Sequence, residues 1–118
     1  MGRRVSTTRS SAPRKAVASE YALKQAALAW LRKNGGYWQK NWGGVYTVSG
    51  RPDIEGCYRG WHVAIELKSP GQYVNLSTGV TPAQRAHLDA IALAGGKILV
   101  ADALSAVQDF IRTIEVHP

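Results

Sequence analysis

The chain has 118 residues, 45% of them hydrophobic, and a formal net charge of +7, which is enough material for one modest core and too little for two. No apolar run approaches the roughly 20 residues that span a bilayer, and the lone cysteine, Cys57, rules out an internal disulfide framework. No secretory leader opens the chain, so it reads as cytoplasmic and intracellular; the opening Met-Gly-Arg-Arg-Val-Ser fits a loose myristoylation pattern and holds an Arg pair, both too short to carry weight.

Residues 1–15 hold Arg3, Arg4, Arg9, Arg14 and Lys15, all ahead of the first acidic residue, Glu20. A basic arm rich in Ser, Thr and Arg is expected to stay disordered until it meets a polyanion such as DNA, where each phosphate it neutralises releases counterions. The plainer reading is a solubilising tail. Residues 16–118 form the domain.

Ala16 to Asn34 is rich in helix formers and is stopped by Gly35-Gly36, which predicts the first helix. Tyr37 to Asn41 and Val45 to Val48 are aromatic and β-branched around Gly43-Gly44, so one or two strands are expected there. Asp53 to Gly56 and Trp61 to Lys68 read as strands around a turn Cys57-Tyr58-Arg59-Gly60. Ser69 to Val80 lacks periodicity and predicts a loop. Thr81-Pro82-Ala83-Gln84 is a helix start, with Thr81 at the N-cap, Pro82 at the first helical position and Gln84 closing a capping box; Gly95-Gly96 ends that helix. Lys97 to Ala101 predicts a short buried strand, and Ser105 to Ile114 a closing amphipathic helix with Val107, Phe110, Ile111 and Ile114 on one face.

Between Trp61 and Lys68, apolar Trp61, Val63, Ile65 and Leu67 alternate with His62, Ala64, Glu66 and Lys68, giving one core face and one polar face. Glu66 and Lys68 then project from the same side, roughly 7 Å apart along the strand. An even-numbered turn pairs Gly56 with Trp61 and Asp53 with Ala64, which makes Glu66 the diagonal neighbour of Asp53 on one face. An odd turn without a bulge separates them. Two carboxylates on one face suit Mg²⁺, which binds oxygen and usually keeps several waters, and Lys68 supplies positive charge beside a phosphate. A solvated salt-bridge cluster is the competing account of the same three residues.

Gly50-Arg51-Pro52-Asp53, Glu66-Leu67-Lys68 and Thr81-Pro82-Ala83-Gln84, in that order, resemble the motifs of the PD-(D/E)XK nucleases, and more narrowly those of the virus-type replication-repair nuclease (VRR-NUC) domain, over about residues 16 to 102. The resemblance implies an α/β fold: a restriction-endonuclease-like α-β-β-β-α-β core with a mixed central sheet flanked by helices, here followed by a C-terminal helix. It implies Asp53, Glu66 and the Leu67 carbonyl as metal ligands, with Glu20 a further candidate ligand, Lys68 as the catalytic lysine, and Mg²⁺ as the cofactor with Mn²⁺ able to substitute. It also implies a standalone enzyme, viral or phage members included, acting on branched DNA as a homodimer.

Glu20 lies three, seven and eleven positions before Leu23, Ala27 and Leu31, beside the apolar face of the first helix, so it needs either the metal site or the helix N-terminus as a partner. Gln84 shares a face with Leu88 and Ile91 and can serve the site as well as the cap. Glu55 and His62 are expected as a surface cross-strand pair. Cys57, His62, His87 and His117 match no zinc spacing. Of Tyr37, Trp38, Trp42 and Tyr46, most belong to the core and one or two are free to meet bases. Lys40 and Arg51 join the arm as candidate DNA contacts. The leading expectation is a Mg²⁺-dependent endonuclease of branched DNA such as Holliday junctions, where two coordinated nicks favour a two-fold dimer. The alternatives are the same chemistry on flaps, nicked or single-stranded DNA, and a non-catalytic DNA-binding module.

Overall fold

A computed structural model of the chain describes residues 14–44 and 48–118, with side chains from residue 19 onward. Helix α1 (Arg14–Lys33) leads into strand β1 (Tyr37–Lys40), followed by β2 (Ile54–Tyr58), β3 (Trp61–Leu67), helix α2 (Pro82–Leu93), β4 (Lys97–Ala101) and helix α3 (Leu104–Thr113). A short 3₁₀ turn, Leu76–Gly79, interrupts the loop between β3 and α2. The α-β-β-β-α-β order with a closing helix is as the sequence predicts. Helix α1 begins at Arg14, two residues early, so Arg14 and Lys15 belong to its first turn and not to the arm. The strand expected at Val45 to Val48 falls on residues outside the described ones except for Val48, which is not in a strand.

One mixed sheet runs in the order β1-β2-β3-β4, antiparallel throughout except for the parallel β3-β4 pair. Strand β4 is an edge and only half-buried up to Ala101, less enclosed than its apolar sequence predicts. The β2–β3 connection corrects the expected four-residue turn. Tyr58 pairs with Trp61, so the turn is Arg59-Gly60 alone. Both residues have positive φ, 52° and 88°, the backbone that a two-residue hairpin of right-handed twist demands. Arginine rarely adopts it, which is why the sequence disguises the turn. The register therefore moves by two residues: Glu55, and not Asp53, faces Ala64. A shift of two preserves the face of every side chain.

The main core lies between α1, α3 and one sheet face. Leu23, Ala27, Leu28 and Leu31 of α1 pack with Val63, Ile65 and Leu67 of β3 and with Val107, Ile111 and Ile114 at the C-terminal end. Leu31, Ile65 and Val107 are almost wholly enclosed, and truncating any of them to alanine costs about 2–5 kcal/mol. The opposite face of β3 is not solvated as the alternation suggests: Ala64, Glu66 and Lys68 are all buried. Leu88 of α2, outside the main core cluster, is fully buried as well. The aromatic residues divide as expected, with Trp38 buried, Trp42 partly packed on the core and Tyr37 exposed; Tyr46 lies outside the described residues. No described helix is long and apolar enough to cross a membrane.

Candidate active site

Ile54 of β2 pairs with Ile65 of β3, so extending the register by one residue sets Asp53 directly across from Glu66. They are opposite neighbours and not the expected diagonal ones. Asp53 owes its position to the preceding turn. Arg51 N–H bonds the Val48 carbonyl at 3.3 Å, and Gly50 at φ +79° takes the left-handed place in that turn. A Cβ on Gly50 would stand 2.6 Å from the Ala83 backbone, so only glycine lets this turn lie against the first turn of α2. Asp53 and Gln84 are brought to one place by that approach. Asn41 locks the other side, its N–H donating to the Asp53 carbonyl at 2.8 Å and its amide to the Pro52 carbonyl at 2.7 Å.

Glu66, Lys68 and Gln84 form a closed triangle. Gln84 Nε2 donates to Glu66 Oε2 at 2.8 Å, Lys68 Nζ donates to Gln84 Oε1 at 2.8 Å, and Lys68 Nζ lies 3.2 Å from the same Glu66 Oε2. Gln84 also completes the capping box with Thr81. Cap and site are not alternatives, since Gln84 Oε1 accepts both the Thr81 N–H and Lys68 Nζ while Nε2 donates to Glu66. Asp53 Oδ2 accepts the Leu67 N–H at 2.7 Å. Glu20 accepts Ser69 Oγ at 3.1 Å and Lys24 Nζ at 3.2 Å, and Lys24 in turn reaches Asp53 Oδ1 at 3.3 Å. Glu20 thus meets the site through Lys24 and not by touching Asp53.

The electrostatics single out the two opposed acids. Burial, and then the charge of Asp53, push Glu66 up to about 7 against the pull of Lys68. Burial also raises Asp53, although the Leu67 N–H and Lys24 oppose it. Glu66 Oε1 is buried without a hydrogen-bond partner among the described residues. Leaving a buried acceptor unmade costs about 1–3 kcal/mol, more when it is charged. Two opposed acids, both raised by burial, with Glu66 raised further by Asp53 and Asp53 by Glu20, form a donor set that fits a hard divalent cation. No described group of three or more His, Cys, Asp or Glu side chains is placed to hold a metal. Cys57, His62, His87 and His117 are accordingly not gathered into such a group.

The remaining predicted residues stand apart. Arg51 is paired with Glu55 at 2.9 Å, and Glu55 also meets His62 at 3.1 Å. That pair exists, but it is diagonal, since Cys57 is the residue facing His62. Lys40 lies with its ammonium 5.5 Å from the Trp42 ring centroid, the ring that Lys24 also approaches. Arg3, Arg4 and Arg9, and the side chains of Arg14 and Lys15, lie outside the described residues. Three participants escape a reading of the sequence: Lys24, Asn41 and Ser69. Lys24 alone carries a signal, its i,i+4 spacing from Glu20 on a helix.

No protein-family model matches the sequence, and no curated protein does. Among solved structures, one titled "VRR_NUC domain" is similar in fold, with a TM-score of 0.62 and 18% sequence identity over 82% of this chain and 98% of that one. The chain has the fold of a VRR_NUC domain.

Proposed function

We propose that the protein is a Mg²⁺-dependent DNA endonuclease, with Asp53 and Glu66 as metal ligands. The observation that carries this reading is the buried Glu66 carboxylate, opposite a second raised carboxylate and short of one hydrogen-bond partner. A charge cluster made for stability satisfies its oxygens, because an unmatched buried carboxylate costs more than its neighbours return. The likeness to a domain whose title abbreviates a nuclease supports the same reading.

Asp53 and Glu66, with the Leu67 carbonyl as a third donor, would hold Mg²⁺, and Mn²⁺ in its place. The bound cation supplies charge stabilisation at the phosphoryl group and a water acidic enough to attack near neutral pH. Lys68 places its ammonium beside the phosphate and offsets the charge that develops there. Gln84 fixes both Lys68 and Glu66, so that neither rotates when substrate arrives. Glu20 keeps Lys24 and Ser69 in place beside them. The basic arm, with Arg3, Arg4 and Arg9, adds phosphate contacts. Branched DNA, four-way junctions included, is the proposed substrate, and two coordinated cuts call for a homodimer with two-fold symmetry.

The test compares cleavage of four-way junction, flap, duplex and single-stranded DNA, each with Mg²⁺ and with chelator, by the wild-type protein and Asp53→Ala. Junction cleavage that needs Mg²⁺ and vanishes in Asp53→Ala, with junction binding retained, is the expected result. Preference for flaps or single strands would move the substrate and keep the chemistry. Binding without cleavage of any of the four would make the protein a DNA-binding module.

A further inference from the structure

Among the described residues, six carboxylate oxygens surround the site, and protein groups engage five of them. Ser69 and Lys24 take the two of Glu20, the Leu67 N–H and Lys24 take the two of Asp53, and Gln84 with Lys68 takes Glu66 Oε2. The two ammoniums differ in what they obstruct. Lys68 lies on the Glu66 oxygen that Gln84 already fixes, and it leaves Oε1 open. Lys24 lies on Asp53 Oδ1, the oxygen that the Leu67 N–H leaves over. A cation shared by Asp53 and Glu66 has to take that oxygen from Lys24, or share it against like-charge repulsion at short range.

Lys24 has somewhere to go. Its second carboxylate partner, Glu20, is one turn back on the same helix, and the Trp42 ring lies 5.7 Å from its ammonium. Both can keep the charge company once Asp53 is released. Lys24 also has a reason to be there: removing it leaves three carboxylates with Lys68 as their neighbouring ammonium.

We propose that Lys24 is a resident counter-cation, which neutralises Asp53 in the metal-free protein and yields Asp53 Oδ1 when a divalent cation binds, withdrawing onto Glu20 and Trp42. The proposal rests on the reading of Asp53 and Glu66 as metal ligands. It makes Lys24 a positioning residue that sets metal affinity, not a ligand and not a group that touches the reacting atoms.

Mn²⁺ binding to the full chain, followed by the loss of the free-ion electron paramagnetic resonance signal, separates this proposal from its foundation. Lys24→Met is expected to tighten Mn²⁺ binding on the order of tenfold, because the competing charge is gone, while Lys24→Arg stays near wild type and Asp53→Asn loses the ion. Equal or weaker binding by Lys24→Met, with Asp53→Asn still defective, overturns the role of Lys24 and leaves the metal site standing. Wild-type binding by Asp53→Asn overturns the metal site itself. The wild-type protein gives a readout that depends on no variant folding. Acetylation of lysines, read by mass spectrometry, should speed up severalfold at Lys24 when Ca²⁺ or Mg²⁺ is added and change little at Lys97. An unchanged rate at Lys24 overturns the displacement.

Discussion

Two glutamates lie on the same face of the sheet, and their surroundings drive them in opposite directions. Around Glu55, burial alone would raise the carboxyl, but hydrogen bonds from Arg51 and Asn41, the charge of Arg51 and the His62 contact together pull it below its ordinary value. Both oxygens have partners, Asn41 and Arg51 on one and His62 on the other. Around Glu66 burial prevails, Asp53 reinforces it, and one oxygen has no partner among the described residues. The first cluster is complete in itself. The second leaves Glu66 Oε1 without a hydrogen-bond partner among the described residues. Counting acids on a face does not tell the two apart; the vacancy and the second carboxylate do.

The largest expected effect breaks or upholds that distinction directly. Glu66→Ala should lower Mg²⁺-dependent cleavage about a thousandfold or more, since several kcal/mol of charge stabilisation go with the ligand. Glu55→Ala, two residues along the chain from Asp53, should keep cleavage within about tenfold and instead cost roughly 1 kcal/mol of stability. Steady-state cleavage and urea unfolding on the two variants measure both quantities. A Glu55→Ala protein as inactive as Glu66→Ala would mean that the two clusters form one site.

The parts of this distinction that sequence can express are local ones. Alternation over Trp61 to Lys68 put Glu66 on the face away from the main core, and the Thr81 to Gln84 signature placed the start of α2 to the residue. Even the mistaken turn kept Asp53 on the correct face, because parity survives a shift of two. What alternation cannot say is whether a polar face is wet. His62 and Lys68 occupy the same phase of the strand, yet His62 is half-exposed and Lys68 is buried. The difference is made by α2, whose docking depends on Gly50 meeting Ala83 across more than thirty residues. The partners of the acids are hidden for the same reason. Asn41 and Ser69 have no motif of their own, and their roles exist only once β1, α1 and the Pro52-Asp53 segment converge.

A second, smaller effect follows from the raised carboxyls. Glu66 holds its proton up to about 7 in the folded, metal-free protein, against an ordinary value of 4.5. The folded state is therefore favoured below the ordinary value, and this contribution is lost as pH climbs through the folded one. Asp53, raised too, acts with the same sign. In chelator, wild-type stability relative to Glu66→Gln should fall by about 2–3 kcal/mol between pH 4.5 and pH 7. Above neutrality Glu66→Gln should be the more stable protein while lacking cleavage, a trade of stability for function at one residue. Glu55→Gln gives the opposite sign, since a lowered carboxyl stabilises the fold above its ordinary value. If the Glu66→Gln protein is the less stable one at pH 8, Glu66 is a structural acid like its neighbour.

The smallest effects concern the two amides that hold these acids. Gln84→Glu can keep the capping box, so α2 should still start at Thr81, while the donor lost from buried Glu66 costs about 1–3 kcal/mol of stability. Its new carboxylate, however, meets Glu66 Oε2 where an amide N–H had donated, and the site then carries an added negative charge. Cleavage should drop about 10- to 100-fold, within the usual range for a residue that orients a metal ligand. Asn41→Ala removes a partner from Glu55 and the brace on the Pro52 carbonyl in one step. Because the Asp53 carbonyl keeps its backbone bond from residue 41, Asp53 should stay in place, so the expected loss is about 1 kcal/mol of stability with cleavage reduced only a few-fold. A larger loss of activity in Asn41→Ala than in Gln84→Glu would mean that the precision of the metal site comes from the neighbouring cluster through the Pro52-Asp53 backbone, and not from the helix that lies over it.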